Sequence, residues 1–339
     1  MTKKITFHIQ HGGQLNGQAR VAGDKSMSHR SIMLGSLAQG VTHVTGFLEA
    51  EDALATLQAF RDMGVIIEQR GNGCVTIHGV GKHGLKAPTK PLYLGNSGTS
   101  MRLLSGLLAG QHFDCILTGD ESLSKRPMKR VTEPLSQMGA VIETTPAGTA
   151  PLHITGQAGK LHGIDYIMPM ASAQVKSCLL LAGMYAQGQT TITEPAPTRD
   201  HTERMLNGFG YHVSQQGNQA SITAAGQLTA FDIDVPSDIS SAAFFLVGAS
   251  IAPHSDVLLK HVGINPTRTG VIDILRLMGA KIEILNQREV GGEPVADLHV
   301  KSCQLKGIEI PEDLVPLAID EFPVLFIAAA CATGETRLT

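Results

Sequence analysis

The sequence has no large surplus of charge of either sign. Its 27 basic and 30 acidic residues give a formal net charge of −3, and the two signs are scattered along the chain. A broad nucleic-acid or membrane surface requires a concentrated basic face, so this charge pattern argues against both as partners. Any anionic ligand must therefore be bound by a few local cations.

Paired cysteines and long apolar segments are also missing. The five cysteines are isolated, odd in number and never spaced C-x-x-C, which indicates reduced thiols in a cytoplasmic protein. The longest apolar stretch, residues 322–332, is about half of the roughly 20 residues that span a membrane. Residues 1–7 lack the apolar core of a signal peptide. We therefore predict a soluble protein that is not exported.

The length of the chain indicates more than one domain. A chain of 339 residues is longer than one hydrophobic core usually serves, and 42% apolar residues are typical of a globular protein. The polar segment 231–241 is the best candidate for a crossing between domains. We predict a complete domain over residues 21–236 and an incomplete one from residues 1–20 and 237–339, with a strand and hairpin in residues 1–20.

A repeat with a period of roughly 70 residues runs through the chain. Its first half, an apolar helix followed by a β-rich segment, occurs five times, beginning near Ser28, Thr99, Gln174, Ser240 and Phe322. Its second half, an amphipathic helix followed by a strand, occurs four times, and the helices end at Gly64, Gly139, Gly210 and Gly279, where a left-handed cap is expected. One such unit cannot bury both helix faces alone, so we predict an α/β fold with helices packed inside and sheets outside.

The fifth copy of the first half has no second half after it. We therefore expect that roughly one and a half units belong after Thr339 in a longer form of the protein. In the present chain the second domain would be about half built, and apolar helix faces would be exposed.

Two glycine turns lead into apolar helices and are candidate anion sites. The first, Gly23–Arg30, places Lys25, Ser26 and Arg30 at a helix start, where backbone N–H groups already favour an anion. The second precedes a helix at Gly98, which would let a ligand approach the backbone closely. Neither has the spacing of a Walker A loop, and each is also typical of an ordinary capped helix start.

A cationic run surrounds a proline in residues 122–130. Runs of this kind are usually solvated, and we expect Lys125, Lys129 and Arg130 to be so. Arg126 is held rigid just before Pro127, which makes it the candidate clamp for a carboxylate or phosphate.

A polar cluster at residues 169–177 precedes another apolar helix. Ser172 is either a ligand contact or the N-cap of that helix. Gln174 offers both a donor and an acceptor to a ligand that carries hydroxyl and carboxyl groups.

Five ionisable groups crowd the helix start at residues 198–204. Because no second cluster has matching ligand spacing, we do not predict a metal site. We expect Thr198 to form a capping box with a downstream acid, which leaves Arg199 as a candidate anion contact.

Asp320 and Glu321 form a carboxylate pair at the start of the apolar helix 322–332. Such a pair can cap the helix, or it can provide a general base whose pKa the apolar setting raises. The other candidate motifs bind anions through cations or amides, so this acidic motif is the one that could remove a proton.

Taken in order, these motifs resemble those of the 5-enolpyruvylshikimate-3-phosphate synthase family. The shared motifs are G-D-K-S-x-S-H-R, L-G-N-S-G-T-x-x-R-L-L, T-G-D-x-S-L-x-K-R-P-M, M-x-A-S-A-Q-V-K-S, R-D-H-T-E-R and I-D-E-F-P, and they span essentially the whole chain. The resemblance implies a two-domain enolpyruvyl-transferase fold of repeated β-α-β-α-β-β units, with helices inside and sheets outside. It also implies transfer of the enolpyruvyl group of phosphoenolpyruvate to the 5-hydroxyl of shikimate 3-phosphate, with release of phosphate and no metal or organic cofactor.

The resemblance assigns roles to particular residues. Those implied for shikimate 3-phosphate are Lys25, Ser26, Arg30, Ser172, Ala173, Gln174, Arg199 and Asp320. Those implied for phosphoenolpyruvate are Lys25, Gly98, Arg126 and Gln174. Asp320 and Lys25 are the implied catalytic groups, and we expect a monomer whose partners are these two small molecules.

The sequence departs from the family pattern after I-D-E-F-P, since an R-V-K-E-[ST]-D-R segment and a later D-H-R motif are not among its 339 residues. We therefore expect weak binding and slow turnover from this polypeptide. Two alternatives stay open: a fragment that acts only as an anion-binding scaffold, and a UDP-N-acetylglucosamine enolpyruvyl transferase. The latter family has a cysteine in the loop before its R-P dipeptide, whereas residues 119–126 contain none.

Overall fold

The computed structural model describes residues 5–8 and 12–339. These residues divide into two compact units. The larger unit comprises residues 22–238 and 288–295, and the smaller unit comprises 239–287, 296–339 and the described part of 1–21. Each unit has its own hydrophobic core.

The larger unit contains seven α-helices, of which α1, α3 and α6 are almost wholly buried. In chain order they are α1 (Lys25–Leu37), α2 (Glu51–Asp62), α3 (Gly98–Ala109), α4 (Glu121–Ser124), α5 (Lys129–Gln137), α6 (Ala173–Gly183) and α7 (His201–Gly208). Buried serines are tolerated in these helices because their hydroxyls bond to the preceding turn, as Ser31 Oγ does to the Met27 carbonyl at 2.8 Å and Ser105 Oγ to that of Met101 at 2.7 Å.

Three four-stranded sheets belong to the larger unit. Their strands are β2 (Gln39–Thr45), β3 (Ile66–Gly71), β4 (Cys74–Val80), β5 (Leu92–Tyr93), β6 (Cys115–Thr118), β7 (Val141–Glu143), β8 (Leu152–Thr155), β9 (Asp165–Ile167), β10 (Gln189–Thr193), β11 (Ser214–Gln216), β12 (Gln219–Thr223) and β13 (Ile233–Asp234). The sheet orders are β13-β2-β4-β3, β5-β6-β8-β7 and β9-β10-β12-β11. In every sheet the first pair is parallel and the other two pairs are antiparallel.

The smaller unit is built on the same plan. Its elements are β1 (Asn16–Ala19), α8 (Ile239–Ile251), β14 (Asp256–Gly263), α9 (Gly270–Leu277), β15 (Lys281–Val290), β16 (Glu293–Lys301), a 3₁₀ turn (Glu312–Leu314) and α10 (Phe322–Cys331). Residues 288–295, which join β15 to β16 and include the adjoining ends of both strands, cluster with the larger unit. Its sheet has the order β1-β14-β16-β15, again with a parallel first pair.

The predicted repeat is confirmed. The five apolar helices are α1, α3, α6, α8 and α10, and the four amphipathic helices are α2, α5, α7 and α9. The glycines predicted to end the latter helices all have positive φ: +87° at Gly64, +91° at Gly139, +79° at Gly210 and +95° at Gly279. The α/β fold with sheets outside buried helices is therefore as the sequence predicts.

The first strand of two sheets comes from an unexpected part of the chain. β1 precedes α1 in sequence but pairs with β14, while β13 precedes α8 but pairs with β2. Of the strand and hairpin predicted in residues 1–20, the structure shows only the strand β1; residues 1–4 and 9–11 of that prediction lie outside the described residues. The strand predicted after α10 is not formed, and this segment shows only isolated β-bridges, from Thr333 to Lys306 and from Arg337 to Glu309.

Two central helices of the larger unit approach closely at a glycine. A methyl group on Gly106 of α3 would lie 2.0 Å from the carbonyl oxygen of Cys178 in α6. Such a contact is impossible without backbone movement, so the spacing of α3 and α6 depends on the missing side chain.

Apolar side chains remain exposed on two helices of the smaller unit, as the repeat count predicts. Phe244 on α8 is 64% exposed, and Phe326 on α10 is 51% exposed. None of the helices in the described part of the chain is long and apolar enough to cross a membrane.

Candidate anion-binding site

The first turns of α1 carry Lys25 and Ser26 at the surface of the larger unit. Asp24 caps the helix, because its Oδ1 accepts a hydrogen bond from the Met27 amide at 2.8 Å. The Lys25 side chain is about half exposed, and its Nζ lies 3.6 Å from Asp52 Oδ2. The segment is thus a capped helix start that also offers a mobile cation.

Arg30 lies deeper than its neighbours in this motif. Its side chain is buried, and it donates from Nε to Thr202 Oγ1 at 2.7 Å, from Nη1 to the Ser26 carbonyl at 3.0 Å and from Nη2 to Ser177 Oγ at 3.0 Å. Burial lowers the pKa of Arg30, against the opposing effect of Glu203. The guanidinium therefore connects α1 to α6 and α7 beneath the surface.

The first turn of α3 faces two arginines. Ser97 caps this helix through the Ser100 amide at 3.1 Å. A methyl group on Gly98 would lie 2.9 Å from Arg126 Nη1 and 3.0 Å from Arg102 Nη1. Both guanidinium groups therefore lie against the backbone of Gly98, as a site for a small anion requires.

Arg126 is oriented by a short chain of polar groups. Its Nη2 donates to Asn96 Oδ1, and Asn96 Nδ2 donates in turn to Asp120 Oδ2 at 2.7 Å. Hydrogen bonds from the Leu123 amide and from Asn96 hold the pKa of Asp120 below its usual range. The charged Asp120 thus orients the side-chain amide of Asn96, and Asn96 in turn orients Arg126.

Gln174 brings the start of α6 to the same place. Its Oε1 accepts from Arg102 Nη1 at 2.5 Å, and its Nε2 donates to Thr99 Oγ1 at 3.1 Å. Ser172 is the N-cap of α6, with the Val175 amide 3.4 Å from its Oγ, and Ala173 is the first helical residue. Ser172 therefore caps α6, and Gln174 joins the two helix starts.

Arg102 is the site residue that sequence reasoning missed. It lies one helical turn after Gly98, and its sequence neighbours do not show that it contacts Gln174. Burial lowers its pKa, and the nearby charges of Arg126 and Arg130 lower it further. A concentration of like charges of this kind favours the binding of an anion.

The start of α7 differs from the predicted capping box. Its N-cap is Asp200, which does not cap the helix with its side chain; instead Asp200 Oδ2 accepts from Arg204 Nε at 2.8 Å. Arg199, just before the cap, is partly exposed, and its charge acts on Arg30. The helix start is stabilised by a side-chain pair one turn apart.

His29 is fully buried between α1, α2 and α3. Its Nδ1 lies 2.8 Å from Thr56 Oγ1 and 3.3 Å from Ser100 Oγ. Burial, then the charges of Arg30 and Lys25, lowers its pKa to about 3. His29 is therefore a neutral contact between the helices at neutral pH.

In the smaller unit, Asp320 is exposed just before α10, whereas Glu321 is buried. Glu321 accepts a hydrogen bond from Ser240 Oγ, and Arg268 Nη2 donates to the same hydroxyl at 2.6 Å. The two adjacent carboxylates thus have different environments. Glu321 is buried and bonded to Ser240, whereas Asp320 lies at the surface of the smaller unit.

Across the described ranges 5–8 and 12–339 there is no group of three or more His, Cys, Asp or Glu side chains arranged to hold a metal ion. Of the predicted residues, Gly98 lies against Arg126, and Gln174 reaches the same place through Arg102. Helix α1 is connected to α3 by His29 and to α6 by Arg30. Arg199 lies on the segment before α7, and Asp320 belongs to the other unit.

The repeated sheet plan, with cationic helix starts at one buried helix bundle, defines an enolpyruvyl-transferase-like protein. A family model described as EPSP synthase (3-phosphoshikimate 1-carboxyvinyltransferase) matches residues 9–339. The chain belongs to the EPSP synthase family, and it is an enolpyruvyl transferase of the shikimate pathway.

Individual relatives agree with this assignment. A 3-phosphoshikimate 1-carboxyvinyltransferase of Methylococcus capsulatus is 70% identical over 337 residues, which are 99% of this chain and 77% of the relative. One from Alkalilimnicola ehrlichii is 68% identical over 335 residues, covering 99% of this chain and 75% of the relative. A solved EPSP synthase of Acinetobacter baumannii matches with a TM-score of 0.92 and 65% identity over 97% of this chain and 74% of its own.

Proposed function

We propose that the protein binds shikimate 3-phosphate and phosphoenolpyruvate at the starts of α1, α3 and α6 in the larger unit together with Asp320 of the smaller unit, and that it joins the two substrates. The bond formed is between the 5-hydroxyl oxygen of shikimate 3-phosphate and the central carbon of phosphoenolpyruvate. The bond broken is the one between that carbon and its phosphate ester oxygen, which releases inorganic phosphate. The contact of Gly98 with Arg126 and Arg102 carries the proposal, because it places paired cations against a helix start.

Phosphoenolpyruvate is assigned to Gly98, Arg126, Gln174 and Lys25. A planar guanidinium binds a carboxylate or phosphate with two parallel hydrogen bonds, and Asn96 already orients that of Arg126. Gln174 is held by Arg102 and Thr99, which fixes its direction. Lys25 is exposed enough to move toward a bound anion.

Shikimate 3-phosphate is assigned to the starts of α1 and α6 and to the segment before α7. The residues in this set are Lys25, Ser26, Arg30, Ser172, Ala173, Gln174, Arg199 and Asp320. Ser172 and Ala173 belong to a helix start, where the amide groups of the first turn attract a phosphate. The buried Arg30 donates hydrogen bonds to the Ser26 carbonyl and to the Ser177 hydroxyl, and so connects the starts of these two helices.

The addition requires one proton to leave the 5-hydroxyl and one to reach the methylene carbon of phosphoenolpyruvate, and a proton must leave that carbon again as phosphate departs, which restores the double bond of the enolpyruvyl group. We assign the base to Asp320, whose exposure allows it to meet a substrate, and the acid to Lys25. Glu321 is not assigned, since its side chain is buried and accepts a hydrogen bond from Ser240 Oγ.

We propose further that the predicted domains, 21–236 and 1–20 with 237–339, correspond to the functional ones. We propose a monomer in the cytoplasm, where the five cysteines, all free in the structure, stay reduced.

Calorimetric titration with shikimate 3-phosphate, followed by a phosphate-release assay with phosphoenolpyruvate, tests the assignment. Arg126→Lys should weaken phosphoenolpyruvate binding about tenfold or more, because a point charge replaces a two-pronged donor, and should leave shikimate 3-phosphate binding unchanged. Arg70→Lys, at an exposed arginine on β3, is the matched control. Equal losses in both variants, or no binding by the folded wild-type chain, would contradict the proposal.

A further inference from the structure

Three segments that the proposed function assigns to shikimate 3-phosphate are joined beneath the surface by buried charges. At the centre is Lys176 on α6, two residues after Gln174 and only 1% exposed. Its Nζ forms ion pairs with Glu194 Oε1 and, at 2.7 Å, with Glu203 Oε1. Lys176 cannot reach a ligand at the surface, so its role must be exerted through these two carboxylates.

Glu194 fixes the segment that leads to Arg199. It follows strand β10, and its second oxygen, Oε2, accepts a hydrogen bond from Thr198 Oγ1. Its backbone is held as well, because the Glu194 amide donates to the Asn218 carbonyl at 2.9 Å and Asn218 Nδ2 donates to the Glu194 carbonyl at 2.8 Å. Glu194 thus attaches the loop just before Arg199 to the buried Lys176.

Glu203 fixes the helix on the other side of Arg199. It lies in the first turn of α7 and is fully buried. The adjacent Thr202 Oγ1 donates to Ser177 Oγ at 2.7 Å and accepts from Arg30 Nε at 2.7 Å. Lys176 and Ser177 therefore connect α6 to α7, and Arg30 extends the connection to α1.

The charges of this cluster depend on one another. Burial opposes the charge of Lys176, but the two carboxylates outweigh it, so its pKa is raised. Burial raises the pKa of Glu203, against the attraction of Lys176. Removing one partner of a buried ion pair leaves the other without compensation, so each member constrains the position of the rest.

We propose that Lys176, Glu194 and Glu203 are positioning residues for the shikimate 3-phosphate site, and that they act by holding Arg199 at a fixed distance from the start of α6. This inference rests on the proposed function. It adds a buried ion-pair cluster, which touches no substrate, as the determinant of phosphate affinity.

A double-mutant cycle between Glu194 and Arg199 tests the inference on the full 339-residue chain. The measured quantity is the Kd for shikimate 3-phosphate by calorimetry in the wild type, Glu194→Ala, Arg199→Ala and the double variant. We expect each single variant to weaken binding about tenfold and the double variant to be no weaker than Arg199→Ala alone, since Glu194 acts through Arg199.

Two further variants separate positioning from loss of stability. Lys82→Met removes another partly buried ammonium of the larger unit, whose Nζ donates to the carbonyls of Ala224 at 2.7 Å and Met184 at 3.1 Å. It should lower the melting temperature without changing the Kd. Glu194→Gln keeps the shape of the side chain, and should reproduce the loss of affinity if Glu194→Ala fails to fold.

The outcomes are distinct. A folded wild type that binds no shikimate 3-phosphate overturns the proposed function and this inference with it. Wild-type binding that Glu194→Gln and Glu194→Ala leave unchanged overturns the inference alone. Losses that multiply in the double variant also overturn it, because they would show that Glu194 acts independently of Arg199.

Discussion

At the scale of single residues, the position of Gly98 against two guanidinium groups explains why this position has no side chain. A methyl group there would lie 2.9 Å from Arg126 Nη1. The arginine end is flexible and can move, so Gly98→Ala should leave the melting temperature nearly unchanged. It should nevertheless raise the KM for phosphoenolpyruvate by roughly tenfold, because the donors are displaced. A steady-state assay beside a thermal melt distinguishes this from general damage, and an unchanged KM would contradict it.

The exposed position of Asp320 supports a second prediction. Asp320→Asn keeps the size of the side chain but removes the group that we propose as the base. The rate of phosphate release should therefore fall by about 10²-fold or more, while the Kd for shikimate 3-phosphate changes far less. Glu312→Gln, an exposed acid in the 3₁₀ turn of the same unit, is the control. A parallel fall of rate and affinity would indicate a binding role instead.

The sequence predicts some of these residues and not others for physical reasons. Gly98, Arg126 and Gln174 lie beside turns or helix starts, and such positions have recognisable local patterns. The role of Arg102 depends on Gln174, a contact between residues 72 positions apart. Likewise, the sequence does not reveal that Arg30 is buried, because Ser177 and Thr202 reach it from other helices.

At the scale of elements, α8 and α10 expose large apolar side chains. Phe244 and Phe326 are 64% and 51% exposed, and apolar faces of this kind promote association. The double variant Phe244→Ser, Phe326→Ser should therefore bind less of a hydrophobic dye and aggregate at a higher protein concentration than the wild type.

Dye fluorescence and light scattering across a concentration series measure this effect. Phe7→Ser is the control, since Phe7 is 84% exposed but lies outside any helix or strand. If the control reduces dye binding as much as the helix variants do, the helix faces are not the source.

The elements themselves were predictable to different extents. The four helix-ending glycines could be identified because a left-handed cap has few alternatives to glycine. The exact pairing of β1 with β14 and of β13 with β2 could not, because each pair joins strands that are far apart in sequence, and no local pattern specifies such a partner. The capping box expected at the start of α7 is not formed, because Asp200 is the N-cap and the Thr198 hydroxyl donates to Glu194 instead.

At the scale of the whole molecule, buried His29 couples folding to pH. Its pKa is about 3 in the folded protein against 6.5 ordinarily. Between these values the unfolded chain binds more protons, so the free energy of unfolding falls as the pH decreases from 6.5 toward 3, by up to about 1.4 kcal/mol per pH unit from this group. Above about pH 6.5 the contribution is complete.

His29→Gln should therefore flatten the decline in stability over this window, although it should be less stable than the wild type at neutral pH. Denaturant unfolding at several pH values from 4 to 7 measures the slope. His153→Gln, at an exposed histidine on β8, should leave the slope unchanged. Identical slopes in the wild type and His29→Gln would contradict the assignment.

The close approach of α3 and α6 at Gly106 has a consequence for the site at their other end. Gly106 lies eight residues beyond Gly98, which is roughly 12 Å along a helix. Because both helices are rigid rods in a dense interior, a wedge between them at Gly106 would splay their first turns and separate Thr99 from Gln174. A substitution at Gly106 should therefore weaken the proposed binding of phosphoenolpyruvate, although Gly106 is not among the residues assigned to contact it.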